Sequence, residues 1–322
     1  MDLFHSGYLL RGDYMKESRL YVLFILVAAF CWGTSGVFTK KITLYGFTPI
    51  EMGFIKTFIA TLILIAFFCR KDKGIFKLKN TGDFFDLALI SIFGYSLYSI
   101  AYIFTANEVG VGIAGAMLYT KTSFVLLFSA IILREKITLI KIFIILLTIL
   151  GCLSISGVFS TGNFVFTPKG LFWGVTSGIG FSIYDVIGKR SLNKYSSETV
   201  TLYTFMIASA FMGVLANPIT TVIKVFQTNT LPIMVLYAIV VSVIPYMLYV
   251  KGLSKVEVSV AAVISTFELM VASVAGIIFY NEPITFFKVL GITLMISAVC
   301  FLNISSSRKV VKSTNIGEIN YD

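Results

Sequence analysis

Charge is scarce in this 322-residue chain: Asp, Glu, Lys and Arg make up 13% of it, about half the roughly 25% of a soluble globular domain. Histidine occurs once, at His5 in a polar leader. No GxxxxGK[ST] phosphate loop, HExxH pair or GxSxG elbow is present, so nothing supports ATP hydrolysis or zinc or serine hydrolysis. No nucleophile and base pair up in sequence either. No catalytic residue, metal site or cofactor is assigned, and an enzyme is not expected. The four cysteines, Cys31, Cys69, Cys152 and Cys300, lie in separate apolar segments without CxxC spacing, which argues against a disulfide framework or a metal cluster.

What fills the chain instead is apolar surface. Hydrophobic residues account for 57% and the mean hydropathy is +0.91. Runs of about 20 apolar residues, enough to cross a hydrocarbon core roughly 30 Å thick, recur along the whole length. The expected fold is therefore an all-α polytopic membrane protein. Apolar runs and breakers place ten helices near 20–39, 49–69, 84–106, 112–133, 138–156, 169–189, 198–217, 231–252, 258–279 and 285–304. The first run has no small-residue cleavage site, so it reads as a retained helix and not a removed signal. Pro49, Pro168 and Pro232 fall at helix starts, where a missing N–H is harmless; Pro218 and Pro283 fall in connections, and Pro245 falls inside a span.

The formal charge of +10 is distributed by side. With the N-terminus in the cytoplasm, nineteen of the 26 basic residues fall in inner segments and five in outer ones, which places both termini inside. This accounts for the positive charge without a nucleic-acid partner. Only Lys56 and Lys121 remain, both within spans.

Sliding the chain along itself by 147 residues aligns Tyr102 with Tyr249, Val109 with Val256, Ala114 with Ala261, Glu135 with Glu282, Ile137 with Ile284, Thr138 with Thr285 and Lys141 with Lys288. Five helices are thus duplicated, residues 20–156 and 169–304, between tails 1–19 and 305–322. Because five is odd, the second copy enters from the opposite side, an inverted repeat with a pseudo-twofold axis in the membrane plane. Sites in such folds lie at the midplane between the copies.

A lone lysine at mid-membrane costs roughly 2.5–3.5 kcal/mol on insertion scales. The symmetry mate of Lys121 is Glu268, so opposite charges are expected at equal depth on facing repeats. Two readings stand: a static ion pair that locks two helices, or a transport site. Asp185 lies four residues before Lys189, spaced to pair with it on one helix face. Lys56, five residues after Glu51, either snorkels to the outer interface or faces a cavity. Tyr95, Tyr98 and Tyr102 form a stripe on the third helix, answered by Tyr246 and Tyr249 beside Pro245 on the eighth. Such stripes either pack or hold an ammonium group by cation–π contact. Small-residue stretches such as "WGTSG" and "GVTSGIG" let helices approach closely.

Three segments carry a resemblance to a known family. "WGTSGVFTK" (32–40) resembles a first-helix WG motif ending in lysine. "LREKIT" and "YNEPIT" resemble the glutamate that follows helices 4 and 9. "MGFIKTF" resembles a second-helix segment that usually carries arginine, here Lys56. With their order and the duplication, the chain resembles the EamA-like transporters of the drug/metabolite transporter superfamily from about residue 20 to 304. Glu268 occupies the glutamate position of that family's ninth-helix "EP" motif, but Leu269 stands where the proline is usual and Thr122 where its fourth-helix counterpart would be.

The resemblance implies a secondary active exporter of amino acids or other small polar metabolites, working by alternating access through a central cavity and coupled to protons or a counter-solute. Its expected setting is the plasma (inner) membrane of a prokaryote, as a monomer or weak homodimer. The candidate substrate-binding residues are Lys121, Glu268, Tyr98, Tyr102, Tyr246, Tyr249, Trp32, Asp185 and Lys56. Glu268 would face a substrate cation and Lys121 its anion, with tyrosines as walls. Two alternatives remain open at this stage. A phosphorylated-metabolite or nucleotide-sugar antiporter would need more basic residues in the cavity, and a non-transporting membrane scaffold would use the midplane charges only as glue.

Overall fold

The structure is a computed structural model and describes residues 19–71, 73–109, 111–156, 167–281, 283–298 and 301; among these no strand occurs. The tails, His5, Glu282 and Cys300 lie outside the described residues. The helices are α1 Arg19–Thr43, α2 Pro49–Arg70, α3 Thr81–Val109, α4 Ile113–Ile132, α5 Leu139–Ile155, α6 Pro168–Ser191, α7 Ser197–Ala216, α8 Leu231–Lys255, α9 Val258–Tyr280 and α10 Phe286–Ala298. Among the described residues eight are long and apolar enough to cross a membrane, whereas α5 and α10 are apolar but shorter. Each expected helix is present, with ends mostly within four residues of those read from the sequence.

The starts follow from local chemistry. Thr138, Thr167, Ser196 and Thr285 each accept a hydrogen bond from the backbone N–H three residues on, satisfying a donor that the first turn leaves orphaned. Pro168 sits at the first position of α6. At the other end of α4, Arg134 adopts a left-handed φ of 58°, and the Glu135 N–H donates back to the Ser129 carbonyl at 3.2 Å, satisfying an acceptor at the helix end. Asn281, which is Arg134 moved by 147 residues, ends α9 in the same left-handed region at 52°.

One connection differs from expectation. Pro218 heads a short helix, Pro218–Gln227, which Asn217 enters at a φ of 53°. Its Thr221 and Val225 are buried while Ile219, Ile223 and Phe226 are exposed. From its last turn, Lys224 reaches the Gly46 carbonyl at 2.7 Å and Glu51 at 3.0 Å, tying this helix to the start of α2.

The bundle closes where side chains are smallest. A Cβ placed on Gly94 of α3 would lie 2.8 Å from the Tyr184 Cα of α6, so these two helices touch backbone to side-chain root. Such approach gives dispersion contact where lipid removes the hydrophobic drive between helices. Gly94 lies inside a stretch of π-helix, Ile90–Leu97, and a second π-stretch, Ile239–Val243, interrupts α8. Moved by 147 residues, Ile92–Ser96 falls on Ile239–Val243. Single π-turns inside α-helices cluster at functional positions.

One end of the bundle carries a polar tie between the chain's halves. The Glu135 carboxylate accepts from the Val258 N–H at 2.7 Å and the Ser259 hydroxyl at 2.7 Å, capping α9 from the α4–α5 link. Lys141 adds contacts to Glu135 at 3.4 Å and Glu257 at 2.9 Å. Burial pushes the Glu135 carboxyl up, but the Ser259 hydroxyl, the Val258 N–H and Lys141 together outweigh it and hold the group below the usual carboxylate range. A depressed folded-state value means stability that is present above the unfolded carboxylate value, roughly 4.3, and lost as pH falls through the folded one. We expect Glu135→Gln to lower the thermal midpoint in detergent at neutral pH, by the equivalent of about 1–3 kcal/mol for charged hydrogen bonds. The gap to wild type should then shrink below about pH 4. A gap that holds constant with pH would contradict this account.

Candidate functional site

The site forms where two helices break. α4 runs as helix to Leu118, turns at Tyr119 and Thr120, and resumes at Lys121; α9 stops at Ser265, turns at Thr266 and resumes at Phe267. The breaks are again 147 residues apart. Their cause is local: Thr120 and Thr122 hydroxyls donate to the Met117 and Tyr119 carbonyls at 2.6 and 3.0 Å, and Ser265 and Thr266 to the Ala262 and Val263 carbonyls at 2.8 and 2.6 Å. The backbone N–H groups of Thr120, Thr122 and Thr266 bond three residues back at 3.1, 3.2 and 3.1 Å, and the hydroxyls add a second donor to those carbonyls and bend the helix, so the broken turns stay satisfied without water.

A glycine of another helix covers each break. A Cβ on Gly178 of α6 would lie 2.5 Å from the Thr120 hydroxyl and 3.3 Å from the Lys121 backbone nitrogen; one on Gly33 of α1 would lie 2.7 Å from the Glu268 carbonyl. Gly33 of "WGTSG" and Gly178 of "GVTSGIG" therefore allow the close approach that small residues permit, one at each break.

The charged candidates come together but not as a pair. Lys121 and Glu268 each stand in the first turn of a resumed half-helix, and they interact electrostatically. No ion pair within 4.0 Å joins them. The Lys121 ammonium lies over the Phe181 ring, 3.5 Å from its centroid, and its side chain is 1% exposed. A cation–π contact to Phe181 of α6 stands in place of the expected direct pair. Glu268 keeps accessible surface. It interacts with Lys56 as well as Lys121, and with Tyr98 and Tyr102.

Lys56 turns inward, away from the outer interface. Its ammonium is 5.5 Å from the Tyr237 ring centroid and 5.9 Å from that of Tyr95, and it too keeps accessible surface. The Lys56 ammonium thus lies among rings of α3 and α8 and not at Glu51, which Lys224 engages. Lys56, Glu268, Tyr98 and Tyr102 are the half-buried members of the constellation; Lys121, Trp32, Asp185, Tyr246 and Tyr249 are buried.

The buried members make an aromatic block. Trp32 lies 5.0 Å from Tyr246 and 5.1 Å from Tyr249, and Tyr246 lies 5.4 Å from Tyr95 and 5.2 Å from Phe205. Tyr98 crosses to Tyr246 by a hydroxyl contact of 3.1 Å, and its ring is 4.8 Å from Phe181. The tyrosine stripes of α3 and α8 thus meet at Tyr246, edge to ring with Tyr95 and hydroxyl to hydroxyl with Tyr98. Phe181, Tyr184, Phe205 and Tyr237 were missing from the sequence-based set. Phe181 and Tyr184 precede Asp185 at helical spacing, a signal that was present; Phe205 and Tyr237 had none.

Asp185 does not pair with Lys189. Its Oδ1 accepts from the Tyr249 hydroxyl at 2.7 Å. Lys189 instead donates to the Leu253, Ser254 and Val256 carbonyls at 2.5, 3.0 and 2.9 Å, closing the end of α8, whose last carbonyls attract a cation more cheaply than a carboxylate one turn deeper.

Two stretches, residues 19–157 and 168–304, match the EamA-like transporter family. An uncharacterized transporter of Clostridium kluyveri is 25% identical over 302 residues, covering 89% of this chain and 94% of its own. The uncharacterized inner membrane transporter YicL of Salmonella typhimurium is 22% identical, covering 92% and 99% respectively. A solved crystal structure superposes with a TM-score of 0.72 at 17% identity, covering 89% of this chain and 98% of that one, a likeness of fold.

Proposed function

Because the chain belongs to the EamA-like transporter family, and so is a multi-pass membrane transporter, we propose that it is a secondary exporter of small zwitterionic or polar metabolites, amino acids foremost, in a prokaryotic plasma membrane. Ten spanning helices in two inverted five-helix repeats, 20–156 and 169–304, supply the frame. The family match to both halves and the 147-residue recurrence of π-turns, helix breaks and left-handed helix ends support that architecture. The site opens between the repeats.

One observation carries the substrate class: Glu268 and Lys56 have opposite sign, interact across the site, keep accessible surface and are not bonded to each other. Glu268 takes the substrate's ammonium and Lys56 its carboxylate, with Tyr98 and Tyr102 as walls. Lys121 supports the site from its rest on the Phe181 ring, and its charge biases Glu268. One anion among two cations at the site also disfavours a doubly charged sugar phosphate. The Glu135 tie closes the end of the bundle that the positive-inside distribution assigns to the cytoplasm.

Purified protein in liposomes tests the proposal. Preloading with unlabelled neutral amino acids should accelerate uptake of the labelled ones well above protein-free liposomes. Flux indistinguishable from empty liposomes for every neutral amino acid, with sugar phosphates accelerated instead, would reject it.

A further inference from the structure

Asp185 has one oxygen too many. Its side chain is 0% exposed, Oδ1 accepts from Tyr249, and Oδ2 has no hydrogen-bond partner. An ionised carboxylate buried with an unsatisfied oxygen is among the least favourable arrangements a protein can hold, whereas its neutral acid loses far less on leaving water. The groups around it are few. Lys121 faces it from α4 and Tyr249 from α8, Tyr184 precedes it on α6, and Tyr98 of α3 and Glu268 of α9 reach only those neighbours. The one cation in electrostatic reach, Lys121, is not within ion-pair distance; its ammonium rests on Phe181. Phe181 is four residues before Asp185, so ring and carboxyl lie on one face of α6, a single turn apart.

We propose that Asp185 is the proton-carrying site of this transporter, holding a proton while Lys121 rests on the Phe181 ring and releasing it when the ammonium slides one turn along α6 to the carboxylate. In the resting arrangement the O–H bond sits on Asp185 and the interior holds two cations, Lys56 and Lys121, against the Glu268 anion. When Lys121 moves, that O–H bond breaks, the proton leaves to water on the open side, and Lys121 remains an ammonium now paired with Asp185. Lys121 also carries its charge away from Glu268, which then holds a substrate ammonium more tightly, so proton release and substrate release are opposed through one side chain. The coupling role rests on the transport function proposed above; the proton on Asp185 does not.

Infrared spectroscopy of the protein in liposomes separates the two. At neutral pH the wild type should show the C=O band of a protonated carboxyl group, retained in Glu268→Gln and lost in Asp185→Asn. Should Asp185→Asn fail to fold, Tyr249→Phe serves: it removes the hydroxyl that bonds Oδ1 and should shift the band without abolishing it. Absence of the band in wild type, or its persistence unshifted in both variants, would overturn the proton site. A second arm imposes a pH gradient and follows labelled neutral amino acids. Wild type should accumulate them above the equilibrium level and Asp185→Asn should not; retained accumulation would overturn the coupling. If wild type moves none of them, the transport proposal fails while the infrared result still decides the proton.

Discussion

Glu268→Gln and Lys56→Met are each expected to reduce amino-acid flux in liposomes by about tenfold to a hundredfold, with thermal midpoints in detergent near that of wild type, whereas Lys121→Met should depress both. A charge-assisted hydrogen bond to a substrate end is worth about 1.5–3 kcal/mol, and each 1.4 kcal/mol is about tenfold in affinity. Glu268 and Lys56 keep accessible surface, so neutralising either removes a contact to the solute more than a contact within the protein. Lys121 differs because it is enclosed: it is 1% exposed, packs on Phe181, and is the cation nearest to the buried Asp185. Methionine fills much of its volume but loses the cation–π contact with Phe181 and leaves Asp185 with no cation to take up its charge when its proton leaves, and stability should fall with flux. Equal thermal losses in all three variants would mean that Glu268 and Lys56 are structural; full flux in Glu268→Gln would end its assignment to the substrate ammonium.

The sequence made the charges legible but not their spacing. Lys121 and Glu268 were found because each interrupts an apolar run and the 147-residue offset relates them, and each stands beside a helix break. Their failure to touch could not be read, because the ring that takes the ammonium is Phe181, a residue of α6 that looks like any other apolar membrane residue. Asp185 was misassigned for a related reason. Four-residue spacing made Lys189 its natural partner, but the end of α8 offers the carbonyls of Leu253, Ser254 and Val256 and draws the lysine off. Helix extents were read well because length and apolarity are nearly sufficient in lipid. The amphipathic piece at Pro218–Gln227 was missed since a short helix between two spans carries no such signature.

Gly94→Val should leave little or no monodisperse protein on size exclusion, and Gly94→Ala should lower the thermal midpoint severely. The added Cβ would sit 2.8 and 2.9 Å from the Cα and N of Tyr184, backbone atoms that no rotamer change can move. Adding a methylene to a packed interior already costs about 1–3 kcal/mol when side chains can adjust; here two helices must part. The same parting would pull Tyr184 and Asp185 away from Tyr249 and disturb the π-stretch that presents Tyr95 and Tyr98, so any Gly94→Ala protein that survives should also transport poorly. Gly36→Ala provides the control, because a Cβ there meets nothing within 4 Å. If Gly94→Ala matched Gly36→Ala in midpoint and flux, α3 and α6 would not be in the contact on which the geometry of the whole site depends.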